Sequence, residues 1–263
     1  MTLTQALHIT SRDNPLLVQL RALVRDGSTY RKTGQVWIEG EHLCAAAVAR
    51  AVAVDQAVLS EAAWHAPHLR ALADHAHRIV IVTEALMKPL SALESAAPIG
   101  FVLNLPAASA IDPDAHTVVL DRLQDAGNVG SILRSAAALG VTQVLALKGT
   151  ATLWSPKVLR AGMGAHFALR LLEGLELDAL KALKVPLLAT SSHNGVDLHA
   201  TRLPRPTAWI FGHEGQGVAA ELIARCALIL RVAQPGGEES LNVAAAAAIC
   251  LYEASCQSVR LSR

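Results

Sequence analysis

The feature that most constrains the fold of this chain is a regular alternation of short apolar runs with helical patterns after residue 116. The runs HTVVLD, VTQVLAL, HFALRLL, PLLAT, TAWIFG and ALILRV have the length and apolar content of buried strands. Helical patterns separate them, among them NVGSILRSAAALG, KVLRAGMGA, LDALKALK and VAAELIARC, and LNVAAAAAICLYEAS follows as a last helix. Such alternation predicts an α/β fold with a parallel sheet, in which ligands bind beyond the carboxyl ends of the strands.

Residues 1–105 predict a second, smaller domain of α/β or α+β type. NPLLVQLRALVRD has a helical pattern with Asn14 placed as N-cap and Pro15 at the first helical position. GQVWIEG, AVAVDQAVLS, HRIVIV and IGFVLNL are predicted strands, and EHLCAAAVAR is a predicted helix. The stretch 106–115, rich in Pro, Ala and Asp, is predicted as a linker to the larger domain, residues 116–263.

Bulk composition excludes several classes of protein. Hydrophobic residues make up 52% and charged residues 17% of the chain, which favours a packed core over disorder. The apolar runs are too short to span a membrane, no leader is visible, and the four cysteines lack metal-type spacing. We therefore expect a cytoplasmic protein with no membrane or metal partner. The formal net charge of +1 does not by itself indicate nucleic acid, although a local basic patch is sufficient for binding it.

Three polar segments each follow a predicted strand and carry candidate chemistry. LDRLQDAGNVGSILRSA, residues 120–136, contains a flexible turn with Asn128 and, further along the helix, Arg134. FGHEGQG, residues 211–217, combines three glycines with Glu214, and glycines at this density let a ligand lie against the backbone. QPGGEESLNV, residues 234–243, places Ser240 and Asn242 before the last helix.

Each segment also has a purely structural interpretation. Asn128 is a suitable N-cap with Arg134 solvated on the surface, and Glu214 is the kind of residue that a helix N-terminus favours. Ser240 or Asn242 is a suitable cap for the last helix. The second segment lacks both the GxGxxG spacing and a phosphate-loop Lys-Ser/Thr, which disfavours a nicotinamide oxidoreductase.

The last helix begins with an unusual run of five alanines, 244–248. Alanine is the strongest helix former but buries little surface. The run is therefore either a plain high-propensity helix or a place where another backbone approaches closely.

Together, in this order and at these distances, the segments resemble the SpoU (TrmH-type) family of RNA ribose 2′-O-methyltransferases, in the SPOUT superfamily. LQDAGNVGSILRSAAALGV is similar to the family's first motif, WIFGHEGQGV to its second and QPGGEESLNVAAAAAICLYE to its third. SPKVLRAGMGAHFALRL resembles the mid-domain segment, and ITSRDNPLLVQLRAL with the residues after it resembles the accessory domain. The chain departs from the family at 125–128, Asp-Ala-Gly-Asn instead of Asp-Pro-x-Asn, and at 232–234, Val-Ala-Gln instead of Ile-Pro-Met.

The resemblance implies a deep trefoil knot in the C-terminal domain, a smaller N-terminal domain like ribosomal protein L30e, and a homodimer formed by the knotted domains. On this interpretation the alanine run lets backbones approach closely. The resemblance also implies S-adenosylmethionine as cofactor, with binding residues Gly212, Val232, Ser240 and Leu241. The implied catalytic residues are Arg134, Asn128, Glu214, Ser240 and Asn242.

The implied reaction is an in-line displacement in which the ribose 2′-hydroxyl attacks the sulfonium methyl group. Such a reaction needs alignment and a proton acceptor but no metal. Because a guanidinium stays protonated, we expect Arg134 to hold a neighbouring phosphate and stabilise developing charge. Proton acceptance then falls to that phosphate or to water, with Glu214 as a weaker candidate.

The accessory domain is expected to bind RNA. Its segment 11–32 is locally basic, and Arg12, Arg31 and Lys32 are the predicted phosphate contacts. A solvated helix face explains the same charges equally well. By analogy with the family, 23S rRNA is favoured as the target. The alternatives are a tRNA ribose 2′-O-methyltransferase and a non-catalytic RNA- or ribosome-binding protein that kept the fold.

Overall fold

The structure is a computed structural model of the chain, and it describes residues 6–106, 110–191, 194–236 and 240–261. Residues 107–109 of the predicted linker and 237–239 of the third polar segment therefore lie outside the described residues. Contacts divide the chain into two compact units, Met1–Ala107 with Trp154–Phe167, and Ala108–Leu153 with Ala168–Arg263.

Helices and strands alternate along most of the chain. In chain order they are β1 (Leu7–Ile9), α1 (Pro15–Arg25), α2 (Tyr30–Thr33), β2 (Gln35–Glu39), α3 (Glu41–Ala49), β3 (Val54–Ser60), α4 (Glu61–Trp64), α5 (Pro67–Ala73), β4 (Ala76–Val82), α6 (Glu84–Met87), β5 (Ile99–Asn104), β6 (Thr117–Asp121), α7 (Ala126–Ala138), β7 (Gln143–Leu147), α8 (Pro156–Gly162), β8 (Arg170–Leu175), β9 (Leu187–Thr190), β10 (Val196–Asp197), β11 (Ala208–Gly212), α9 (Ala220–Ile223), β12 (Leu228–Arg231) and α10 (Val243–Leu261).

The first unit is built on a mixed sheet of five strands in the order β1-β4-β3-β5-β2. Strand β4 is parallel to β1 and β3, whereas β5 is antiparallel to β2 and β3. Helix α1 begins as predicted, because the Asn14 side chain accepts a hydrogen bond from the Leu16 amide at 3.0 Å and Pro15 follows it. Trp154–Phe167, which the sequence places in the larger domain, belongs to this unit, and Leu159 is buried in its core.

The second unit contains a sheet of seven strands in the order β10-β12-β9-β11-β6-β7-β8. Every pairing in this sheet is parallel, which confirms the predicted α/β fold. The central strands β6, β7 and β11 are buried along their full length. The chain leaves β6 towards β7 on one side and returns to β11 on the other, so a topological switch point lies between β6 and β11.

Helix α10 packs against α7 in the second unit. Its buried positions follow the spacing i, i+3, i+4 and i+7, at Ala247, Cys250, Leu251 and Ala254. Ala247, the fourth alanine of the run, is fully buried. Small side chains at this position let the two helix backbones approach closely.

Several predicted elements differ in the structure. LDALKALK forms a 3₁₀ helix, Leu177–Ala182, because it buries only Leu180 and is too short to sustain an α-helix. VAAELIARC forms only the four-residue helix α9. In the predicted strand HFALRLL, the strand begins only at Arg170, and a 3₁₀ turn at Ala165–Ala168 precedes it. None of the described helices has both the length and the apolar character needed to cross a bilayer.

Candidate active site

Residues of the second and third polar segments meet at the carboxyl edge of the seven-stranded sheet. Gly212 is the last residue of β11, Val232 directly follows β12, and Ser240 to Asn242 directly precede α10. Because parallel strands end at the same edge, segments that are far apart in the chain lie side by side here.

A cavity of about 290 Å³ opens at this edge. The predicted cofactor-binding residues all line it: Gly212, Val232, Ser240 and Leu241. A further cavity of about 500 Å³ shares several lining residues with it, namely Thr190, Ser191, Glu214, Gly217, Val218 and Ser240. Both volumes suit a small-molecule site.

A chain of hydrogen bonds joins the three polar segments. The side-chain nitrogen of Asn242 donates to the side-chain oxygen of Asn128 at 3.0 Å. The side-chain nitrogen of Asn128 in turn donates to Oε1 of Glu214 at 3.2 Å. We call Asn242, Asn128 and Glu214 the three-motif network; it brings together three of the predicted catalytic residues.

Glu214 acts in this network as an acceptor only. Its carboxylate accepts hydrogen bonds from the amides of Asp125 at 3.2 Å and Gln124 at 3.4 Å, besides that from Asn128. Burial opposes ionisation of Glu214, but these hydrogen bonds and one from its own backbone outweigh it and lower the pKa of the carboxyl below its ordinary value. An ionised group with its oxygens engaged is poorly suited to accept a proton. It instead holds in place the loop between β6 and α7, residues 122–125, which we call the first loop.

Asn242 has the capping role that the sequence allowed, and it also belongs to the three-motif network. Its side-chain oxygen accepts from the amides of Ala244 at 2.9 Å and Ala245 at 3.3 Å, so it caps α10. The N-cap interpretation of Asn128 is wrong. Asp125 caps α7 by accepting from the Asn128 amide at 2.7 Å, which leaves the Asn128 side chain free to join the network.

Gly212 is required by a close approach of two backbone segments. A Cβ atom at this position would lie 2.3 Å from the carbonyl carbon of Gly217 and from the amide nitrogen of Val218. Only glycine allows β11 to end against its own following loop, which we call the second-motif loop, residues 212–218.

The structure does not bring Arg134 into the three-motif network. Arg134 is exposed on α7, no described residue pairs with its side chain, and it lines neither cavity. It stands six residues after Asn128, which on a helix corresponds to about 9 Å along the axis and roughly 120° around it.

Sequence reasoning missed several residues of the cavity wall, among them Thr190, Ser191 and His213. Thr190 and Ser191 stand at the end of the predicted strand PLLAT, at the same carboxyl edge, and that position is the signal that could have found them. His213 lies inside the second motif, at a position to which the motif assigns no residue type.

The lining of the cavity fits a nucleoside-type cofactor. Val218, Val232 and Leu241 supply an apolar wall, and Leu241 is 39% exposed although it is a large apolar side chain. Oε1 of Gln234 is buried and has no hydrogen-bond partner among the described residues, so an acceptor remains available beside this wall. An apolar face with a few polar groups is the usual composition of a small-molecule pocket.

The predicted RNA contacts Arg12, Arg31 and Lys32 are all exposed in the first unit. Arg12 precedes α1, and Arg31 and Lys32 follow it in α2. In the described part of the chain, no group of three or more His, Cys, Asp or Glu side chains is placed to hold a metal ion.

The sequence profile of the SpoU rRNA Methylase family matches residues 115–252, which include all three polar segments. The chain belongs to the SpoU rRNA methylase family. An uncharacterized tRNA/rRNA methyltransferase of Synechocystis is 35% identical to it over 95% of this chain and 93% of the relative. The Bacillus subtilis 23S rRNA (guanosine(2553)-2′-O)-methyltransferase RlmP is 30% identical over 84% of this chain and 88% of the relative.

Solved structures of the family share the fold. An AdoMet-bound rRNA methyltransferase from Sinorhizobium meliloti superposes with a TM-score of 0.82 at 25% identity, over 95% of this chain and 97% of that one. Together with the family match, this confirms the resemblance drawn from the three motifs. It also confirms the predictions of an RNA-methylating enzyme and of S-adenosylmethionine as its cofactor.

Proposed function

We propose that this chain transfers a methyl group from S-adenosylmethionine to a ribose 2′-hydroxyl of 23S rRNA. The observation that carries the proposal is the three-motif network, which ties the family's three motifs together beside a cavity with a nucleoside-type lining. The name of the Bacillus subtilis relative supports 23S rRNA as the target and the ribose oxygen as the site.

The cofactor is held by Gly212, Val232, Ser240 and Leu241. Val232 and Leu241 offer apolar surface to the adenine, and Gly212 forms part of the cavity wall. S-adenosylmethionine supplies an activated methyl group when bound. The protein then has to align the ribose and favour loss of the hydroxyl proton.

Alignment is the task of Asn128, Glu214, Ser240 and Asn242. Glu214 fixes the backbone of the first loop, and Asn242 fixes Asn128 from the other side. Ser240 lines both cavities and is placed to orient a ribose hydroxyl. Arg134, permanently charged, holds an RNA phosphate and stabilises negative charge that develops on the attacking oxygen.

The position of Arg134 outside the network of its own chain supports a homodimer in which both chains build each site. One face of α10 is apolar and exposed at Ala245, Ile249 and Tyr252, spaced i, i+4 and i+7. The latter two are 41% and 62% exposed. We assign this face to a second copy of the chain across a two-fold axis.

The remaining expectations stay part of the proposal. The second unit contains the deep trefoil knot of SPOUT enzymes, and the first has the fold of ribosomal protein L30e. The first unit binds rRNA through Arg12, Arg31 and Lys32. Along the chain the domains are residues 1–105 and 116–263 with a linker at 106–115, with Trp154–Phe167 contributed to the first compact unit, and the protein works in the cytoplasm.

The proposal is tested by mapping ribose methylation in a strain that lacks the protein. We expect one 2′-O-methyl group of 23S rRNA to disappear and to return with the wild-type chain. It should not return with Leu241→Arg, which fills the cavity with a cation. A methyl group lost from tRNA would move the target to tRNA, and an unchanged RNA methylation pattern would favour a binding protein.

A further inference from the structure

The second-motif loop makes a tight turn whose shape depends on one side chain. His213 and Gly217 form a backbone bridge, in which the Gly217 amide donates to the His213 carbonyl at 2.8 Å. Three residues, Glu214, Gly215 and Gln216, make the turn between them, and all three are exposed. A turn this short has no room for further backbone pairs, so its internal amides donate either to a side chain or to water.

The acceptor is the imidazole of His213. Its Nδ1 atom lies 3.0 Å from the amide nitrogen of Gly215 and 3.2 Å from that of Gln216. Both amides are donors, so Nδ1 must carry a lone pair and the neutral ring must carry its proton on Nε2. The ring therefore closes the turn in the way that an Asx side chain does, with a nitrogen in place of an oxygen.

The turn held in this way connects the cofactor cavity with the three-motif network. His213, Glu214, Gly217 and Val218 line the cavity of about 290 Å³. Glu214, the first residue of the turn, carries the carboxylate that holds the first loop and Asn128. A change in the turn would therefore move the cavity wall and the network together.

We propose that His213 is a positioning residue of this enzyme, which sets the shape of the cofactor-binding loop through its Nδ1 lone pair. It does so without having to contact the reacting atoms. The part of this inference that concerns cofactor affinity rests on the proposed function. The part that concerns the loop is independent of it.

Isosteric variants separate this role from simple packing. Asparagine places its side-chain oxygen close to the position of Nδ1, whereas glutamine places its oxygen one bond further out. His213→Asn should therefore keep both hydrogen bonds, and His213→Gln and His213→Ala should lose them. Each variant is made in the full-length chain.

The test has two readouts. In calorimetric titrations with S-adenosylmethionine, Kd should rise about tenfold in His213→Ala and His213→Gln, which corresponds to about 1.4 kcal/mol, and should stay within about threefold in His213→Asn. In amide hydrogen exchange without cofactor, Gly215 and Gln216 should exchange faster in the first two variants and remain protected in the third.

Equal behaviour of His213→Asn and His213→Ala in the exchange experiment would overturn the proposal, as would unchanged protection in all variants. Protection lost without any change in Kd would overturn the link to the cofactor. If the wild-type chain binds no cofactor, the proposed function fails, and the exchange experiment still decides the role of His213.

Discussion

The side-chain nitrogen of Asn242 lies 3.0 Å from the side-chain oxygen of Asn128, although the two residues are 114 positions apart in the chain. The contact joins the residue that caps α10 to the first turn of α7. Since Asn128 also donates to Glu214, a defect at either end should reach all three motifs.

Two substitutions at Asn242 separate its capping role from its network role. Asn242→Ala should lower the free energy of unfolding by about 1 kcal/mol, the usual cost of a lost N-cap. Asn242→Asp keeps the cap, because a carboxylate accepts from the Ala244 and Ala245 amides, but it cannot donate to Asn128. We expect near wild-type stability for Asn242→Asp, with methyl transfer reduced at least about tenfold in both variants. Urea unfolding measures the stability of each variant, and methyl-transfer assays measure its rate. Wild-type activity in Asn242→Asp would contradict the need for the hydrogen bond to Asn128.

Gly212 and Gly215 lie in the same loop and should respond differently to alanine. A Cβ at Gly212 meets the backbone of Gly217 at 2.3 Å, whereas one at Gly215 meets only the His213 ring at 3.8 Å. Gly212→Ala should cost about 1–3 kcal/mol of stability or more and abolish cofactor binding. Gly215→Ala should change stability and cofactor binding only slightly. Similar effects of the two substitutions on thermal unfolding and on Kd would show that the close approach is not the constraint.

Arg134 should affect catalysis and leave cofactor binding intact. Arg134→Ala is expected to lower kcat by about a hundredfold or more, with Kd for S-adenosylmethionine unchanged. Arg134→Lys should recover only part of the rate, because an ammonium cannot bind a phosphate in the bidentate way of a guanidinium. Full activity in Arg134→Lys would exclude the bidentate contact.

The same variant tests whether both chains build each site. Arg134→Ala has an intact cavity but no arginine, and Leu241→Arg has a blocked cavity but keeps Arg134. Co-purified heterodimers of the two should regain activity that neither homodimer has. Absence of complementation in a heterodimer shown to form would assign Arg134 to the site of its own chain.

Stability should fall on mild acidification because of His116. Burial lowers the pKa of this imidazole, the charge of Arg205 lowers it further, and the ring nitrogen Nδ1 lies 3.0 Å from the Thr207 carbonyl oxygen. Its folded-state pKa is below the unfolded value of about 6.5, so the unfolded chain binds more protons as the pH falls through that range. The urea midpoint should decrease between about pH 7.5 and about pH 5.5. His116→Asn can still donate to Thr207, and its urea midpoint should depend less on pH. An equal pH dependence in the wild-type chain and in His116→Asn would show that His116 is not its cause.

The sequence predicted the parallel sheet and the edge at which the site lies, because strand length and βα alternation are local signals. It placed the cap of α7 at Asn128 and not at Asp125, and both are good cap residues within one turn of each other. The structure selects Asp125 because Asn128 is used by Glu214 and Asn242, and those partners come from distant segments. The role of His213 depends on the direction of one ring nitrogen, which has no signature in residue spacing.

The central claim is tested most directly by incubating the purified chain with labelled S-adenosylmethionine and unmethylated 23S rRNA, and then digesting the RNA to nucleosides. We predict label in a single 2′-O-methylated nucleoside, with none transferred by Leu241→Arg. Label on a base, or no transfer by a chain that binds both the cofactor and the RNA, would contradict the account.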